Sequence, residues 1–101
     1  MVKVGLLVRL VAKPGKEQVV AEFLAGALPL ARAEAETVTW FALRISSTEF
    51  AIFDAFPGEP GRQAHLNGPI AAALMANAAD LLAEPPRIEP VDVLASKLPA
   101  G

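Results

Sequence analysis

The chain has no cysteine and no tyrosine, and it uses histidine and tryptophan once each in 101 residues. Without cysteine there is neither a disulfide framework nor a thiolate nucleophile. One histidine among scattered carboxylates does not make a metal site. Basic residues number nine against eleven acidic, a net charge of −2 with no basic cluster, so nucleic acid is excluded as a partner. Long apolar runs are missing too. The segment "VGLLVRLVA" is interrupted by Arg9 and runs into "KPGKE", which makes it too short and too charged for a membrane span or a signal-peptide core. The expectation is a cytoplasmic protein that does not engage membranes.

The length fits one domain over residues 1–101 and leaves no room for a separate cofactor domain. Hydrophobic residues make up 53% of the chain and the mean hydropathy is +0.42. A domain this small has little interior for its surface, so the surplus implies a second buried surface beyond the core.

"KVGLLVRLVAK" reads as a strand over Lys3–Lys13, closed by the turn residues Pro14 and Gly15. In "GKEQVVAEFLAGALPLARAE" the residues Val20, Phe23, Leu24, Ala27 and Leu28 share one helical face, and Pro29 should kink or end that helix. "TVTWFALRI" and "EFAIFDAF", separated by "SST", read as a hairpin. Pro57, Gly58, Pro60 and Gly61 then break the chain, leaving "RQAHL" about one turn of helix. Asn67 is placed to cap a new helix that begins at Pro69 and runs through "IAAALMANAADLLAE". "PP" stops it, and "RIEPVDVLASK" is the last strand. The order β-α-β-β-α-β is the ferredoxin-like α+β arrangement, an antiparallel sheet with its helices on one face.

Both faces of that sheet are apolar. Val4, Leu6 and Val8 alternate with Gly5, Leu7 and Val11, and Val38, Trp40 and Ala42 alternate with Phe41, Leu43 and Ile45. Helices cover one face, so the other is expected to meet the same face of a second copy, giving a homodimer.

The first strand running into "KPGKE", the acidic "ARAEAET", the strand "FAIFDAF" and the stretch "GRQAHLNGPIAAAL", in that order, resemble the antibiotic biosynthesis monooxygenase family of dimeric α+β barrels, which includes quinol monooxygenases. The likeness spans nearly the whole chain. It implies cofactor-independent oxygenation of a small aromatic substrate, a quinol or polyketide-like ring, with no metal, flavin or heme. The asparagine that the heme-degrading branch carries in its first strand is missing here. Phe56 stands where the family carries an aromatic at the end of the third strand, and is a substrate-binding candidate.

Such chemistry needs a dry pocket, a base and donors for an oxyanion. His65 is the candidate base, because its ordinary pKa lies near neutrality. Asp54 shares a strand face with Ile52 and Phe56 and is placed to orient the imidazole, so His65 is expected to border a cavity between sheet and helices within reach of Asp54. The alternative is that His65 only packs or caps at the helix break. Trp40 and Arg44 share a face of the second strand, where Trp40 could stack on a ring and Arg44 hold an oxyanion. If that face instead meets a partner sheet, Phe41, Leu43 and Phe53 line the pocket. Asn67 is a helix cap or an oxyanion donor. Phe23, Leu24, Leu74 and Met75 have helical spacing that suits core or cavity wall. Glu34 and Glu36 read as a solvated loop, and "KPGKE" lacks the spaced glycines of a phosphate loop. Two functions remain open: a cofactor-free monooxygenase, and a non-catalytic protein of the same fold that binds a small apolar ligand or regulates. Fold alone does not choose between them.

Overall fold

A computed structural model describes residues 1–99. The elements are β1 (Val4–Val11), α1 (Glu17–Gly26), α2 (Leu28–Arg32), β2 (Thr39–Arg44), β3 (Glu49–Phe56), α3 (Glu59–Leu66), α4 (Pro69–Leu81) and β4 (Arg87–Asp92). The strands form one sheet in the order β2-β3-β1-β4 with every pairing antiparallel. This is the expected ferredoxin-like α+β topology. No helix among the described residues is long and apolar enough to cross a membrane.

Register fixes the two faces. Leu6, Val8 and Leu10 of β1 lie opposite Asp54, Ile52 and Phe50 of β3, which in turn pair with Trp40, Ala42 and Arg44 of β2. Side chains alternate along a strand, so these residues all point one way, toward the helices. There Val8, Leu10, Phe50 and Ile52 pack with Val20 and Leu24 of α1, Leu74 of α4 and Leu82 just beyond it. On the other face Leu7 and Phe53 are half-buried, and Phe41 and Leu43 remain 53% and 45% exposed. β4 tolerates Pro90 because it is an edge strand, where a missing N–H breaks no inner ladder.

The first helix ends near Pro29, as expected: α1 stops at Gly26, and Pro29 sits in the first turn of a second helix, α2, where no N–H is needed. Three details differ from expectation. Leu28, at the start of α2, is turned outward and is 37% exposed, so it does not join the buried stripe of Val20, Leu24 and Ala27. α3 is eight residues long, because Pro60 occupies its first turn and does not break it. Gly61 belongs inside that helix for reasons of space. A Cβ there would stand 2.8 Å from Glu36 Cβ and 3.5 Å from Phe56 Cβ, so only glycine lets α3 lie this close to the end of β3. Finally, the cap position of α4 is Gly68, not Asn67. Asn67 ends α3 with its backbone and is exposed.

Candidate active site

Asp54 is the one charged residue that β3 turns toward the helices, and it is completely buried. A carboxylate taken out of water requires a partner. The partner is His65, in the last turn of α3 and only 7% exposed. Its Nε2 lies 2.9 Å from Asp54 Oδ2. On its other side Nδ1 lies 2.6 Å from Glu34 Oε1, a contact that spans 31 residues of chain. Glu34 follows α2, and its side chain is 17% exposed. The Thr37 hydroxyl donates to the same Glu34 oxygen at 2.7 Å. The Phe56 ring closes the cluster, with its centroid 5.4 Å from that of the imidazole.

Local sequence makes this meeting possible. Gly61 allows α3 to lie against Phe56, which brings His65 over Asp54. Gly68 admits the Glu34 carboxylate, since a Cβ there would stand 3.3 Å from Glu34 Oε2. Burial by itself would lower the His65 pKa, but the hydrogen bonds to Asp54 and Glu34, and the two negative charges behind them, raise it to about 9. At neutral pH His65 is therefore an imidazolium with both nitrogens directed at carboxylates. It has no free lone pair with which to take a proton from a substrate or to ligate heme iron. Its evident work is to join three segments of chain: β3, α3 and the loop after α2.

An open cleft of about 380 Å³ lies beside this cluster, between α1 and the edge strand β2. Its walls include Leu24, Leu28, Trp40 and Phe50, and Arg44 is the only charged residue of its lining. The Arg44 guanidinium lies 4.8 Å from the centroid of the Phe50 ring, an arrangement that holds the cation at the mouth of an aromatic-walled space. The structure thus brings Trp40 and Arg44 together at one cleft. It places Asp54 directly across the sheet from Trp40.

Other candidates fall elsewhere. His65 does not line this cleft, contrary to the expectation that it borders a cavity. Phe53 points to the opposite side of the sheet, because it is one residue out of phase with Asp54. Asn67 is exposed and caps nothing with its side chain. Phe56 is fully buried against His65 rather than facing the cleft. Leu74 is core, Phe23 packs half-buried against it, and Met75 is 58% exposed. Glu34 is the residue that the sequence reading missed, having been assigned to a solvated loop, whereas Glu36 is indeed exposed. The only local sign was Thr37, three residues on, the spacing at which a hydroxyl can hold a carboxylate.

The sheet order and the one-sided helices are those of the ferredoxin-like α+β fold. Two solved structures described as "putative antibiotic biosynthesis monooxygenase" share it. One, from Nitrosomonas europaea, has a TM-score of 0.80 at 18% identity, covering 91% of this chain and 90% of that one. The other, from Chloroflexus aurantiacus, has a TM-score of 0.73 at 14% identity, covering 94% and 96%. Much nearer is the crystal structure of NE2512, a protein of unknown function from Nitrosomonas europaea, with a TM-score of 0.97 and 64% identity over 100% of this chain and 98% of that one. The chain belongs to the same family as NE2512. No family model and no curated protein matches it.

Proposed function

We propose that the chain is a small oxygenase that binds a hydroxylated aromatic ring, a quinol or polyketide-like molecule, in the cleft between α1 and β2 and oxidises it with dioxygen without metal, flavin or heme. The observation that carries this reading is the cleft itself: apolar and aromatic walls, a volume suited to a small ring system, and one cation, Arg44. The ring hydroxyl loses its proton to solvent water, and the phenolate, favoured by a guanidinium at the mouth, passes electrons to dioxygen. One oxygen atom is inserted at a ring C–H to give the hydroxyquinone and the other leaves as water, the substrate supplying all four electrons. His65 serves the site by fixing Asp54 and the end of β3, not as the base. The likeness in fold to the structures described as monooxygenases agrees with this chemistry, and the fold by itself is compatible with others.

The active unit in this reading is a homodimer. The sheet face away from the helices packs against the same face of a second copy. On it Phe41 and Leu43 are exposed beside half-buried Leu7 and Phe53, and Val93 and Leu98 of the C-terminal segment border a cavity of about 510 Å³ with Phe41 and Phe53. A second reading, a binding protein without turnover, is favoured by one observation: no residue lining the cleft is a carboxylate or an imidazole.

Oxygen uptake separates the two. With 1,4-dihydroxynaphthalene in chelator-treated buffer, the protein should consume dioxygen faster than the buffer does. Arg44→Gln should lower kcat/KM roughly 100-fold, the scale of losing one donor to a developing oxyanion. A ring that binds without accelerated uptake would leave only the binding reading.

A further inference from the structure

Three buried polar groups in this site have unused hydrogen-bonding capacity: the Glu34 carboxylate through Oε2, and two cross-strand neighbours of opposite kinds, Trp40 and Asp54. The Trp40 indole Nε1, a donor, is buried with no acceptor. Asp54 Oδ1, an acceptor, is buried with no donor, and Oδ2 faces only the His65 imidazole. Leaving such groups unpaired is unfavourable, so an unpaired donor and an unpaired acceptor at one place need a reason. These two are cross-strand partners, Trp40 on β2 and Asp54 on β3, and both point to the helix side of the sheet. Directly opposed residues have Cβ atoms about 5 Å apart. Trp40 also lines the cleft, while Asp54 lies behind it with no exposed surface. The indole is thus the wall between the cleft and the carboxylate. No hydrogen bond tethers its nitrogen, so turning the ring aside breaks none.

A hydroxyl group is both a donor and an acceptor. One phenolic O–H at this point would accept from Trp40 Nε1 and donate to Asp54 Oδ1, satisfying both groups at once. A ketone or an ether oxygen would satisfy only the indole and would be set against an unpaired carboxylate. We infer that Trp40 and Asp54 form a subsite for one hydroxyl of the ring bound in the cleft, the indole rotating enough to open the way while its Nε1 stays beside that hydroxyl. The ion pair to His65 and Glu34 holds Asp54 in place as an acceptor. The inference rests on the cleft being the binding site, and adds that the ligand must carry a free hydroxyl at its inner end, away from Arg44.

The chain has one tryptophan and no tyrosine, so its near-ultraviolet fluorescence emission reports Trp40. The test is anaerobic calorimetric titration with 1,4-dihydroxynaphthalene and with 1,4-dimethoxynaphthalene, accompanied by the Trp40 emission. The native protein should bind the diol at least about tenfold more tightly than the diether, the scale of a hydrogen bond to a charged group, and the emission should shift with the diol. Trp40→Phe keeps an aromatic wall and removes the donor, and Asp54→Asn replaces the carboxylate with a group of similar shape. Asp54→Asn should bring the preference for the diol toward onefold, while Trp40→Phe, which removes a donor that the diether oxygen could use as well, should weaken both ligands and leave most of the preference. Equal binding of diol and diether to the native protein would overturn the hydroxyl subsite and leave the cleft reading intact, whereas binding of neither would defeat both. A preference that survives in Asp54→Asn and vanishes in Arg44→Gln would place the hydroxyl on the guanidinium and also overturn the inference.

Discussion

Replacing His65 with leucine should be among the most destabilising single changes in this chain, and the damage should depend on pH in a defined direction. The substitution leaves Asp54, with no exposed surface, and Glu34, 17% exposed, facing each other without the cation that separates them. Removing one partner of a buried ion pair costs about 3–5 kcal/mol, because the charge left behind has lost both water and partner. The native His65 pKa of about 9, against 6.5 in an unfolded chain, corresponds to about 3 kcal/mol of stabilisation from protonation. The folded-state pKa is the raised one. The contribution is therefore complete below about pH 6.5, declines as pH rises, and is gone above about pH 9. Denaturant unfolding at fixed protein concentration, followed by Trp40 fluorescence at several pH values from 6 to 10, measures this. The native protein should lose about 3 kcal/mol relative to His65→Leu across that range, so the gap between the two closes as pH rises. A gap that stays constant from pH 6 to 10, or an imidazole seen by NMR to titrate near 6.5 in the folded protein, would refute the buried imidazolium.

Two further outcomes follow from packing. Gly61→Ala should lower stability by roughly 1–3 kcal/mol, the usual scale of forcing a methyl group into filled space, since its Cβ would stand 2.8 Å from Glu36 Cβ; a thermal midpoint equal to the native one would show that the loop before β2 yields freely. For the proposed homodimer, light scattering at micromolar concentration should give twice the chain mass for the native protein, and Phe41→Glu, on the sheet face away from the helices where Phe41 is 53% exposed, should give a monomer with helical circular dichroism retained. A monomeric native protein would defeat the dimer reading, and an unchanged dimeric mass in the variant would place the contact on another face.

Much of the fold can be read in the sequence because local periods carry it. The alternation of β3 puts Asp54 in phase with Phe50, Ile52 and Phe56, and that phase is observed. What misled was punctuation. Pro60 and Gly61 look like breakers in a linear reading, yet proline is harmless in the first turn of a helix and glycine was required by a neighbour distant in sequence. Pro29 does mark where α1 ends, and it also lies in the first turn of α2. A breaker residue gives the position of a boundary, but not on which side of it the helix lies.

Glu34 shows a different limit. Nothing in "ARAEAET" separates it from Glu36, which is two residues away and exposed. Its burial arises because the chain, having ended α2, passes beneath the start of α4, where Gly68 leaves room for a carboxylate. That is a tertiary contact with no local period to announce it. Phe53 shows a third limit. When both faces of a strand are apolar, alternation divides the residues into two sets but does not say which set faces the helices. The polar residue in β3 does say so. A carboxylate can be buried in a strand only where something can pair with it. The sheet face away from the helices offers no histidine to Asp54, whereas the helix face is where the chain's only histidine must fall once α3 turns back from the end of β3. Asp54 and His65 together therefore orient the sheet, and with it Trp40 and Arg44 are assigned to the helix side and Phe53 to the opposite side, while Phe41 and Leu43, out of phase with Trp40 on the edge strand, still border the rim of the cleft.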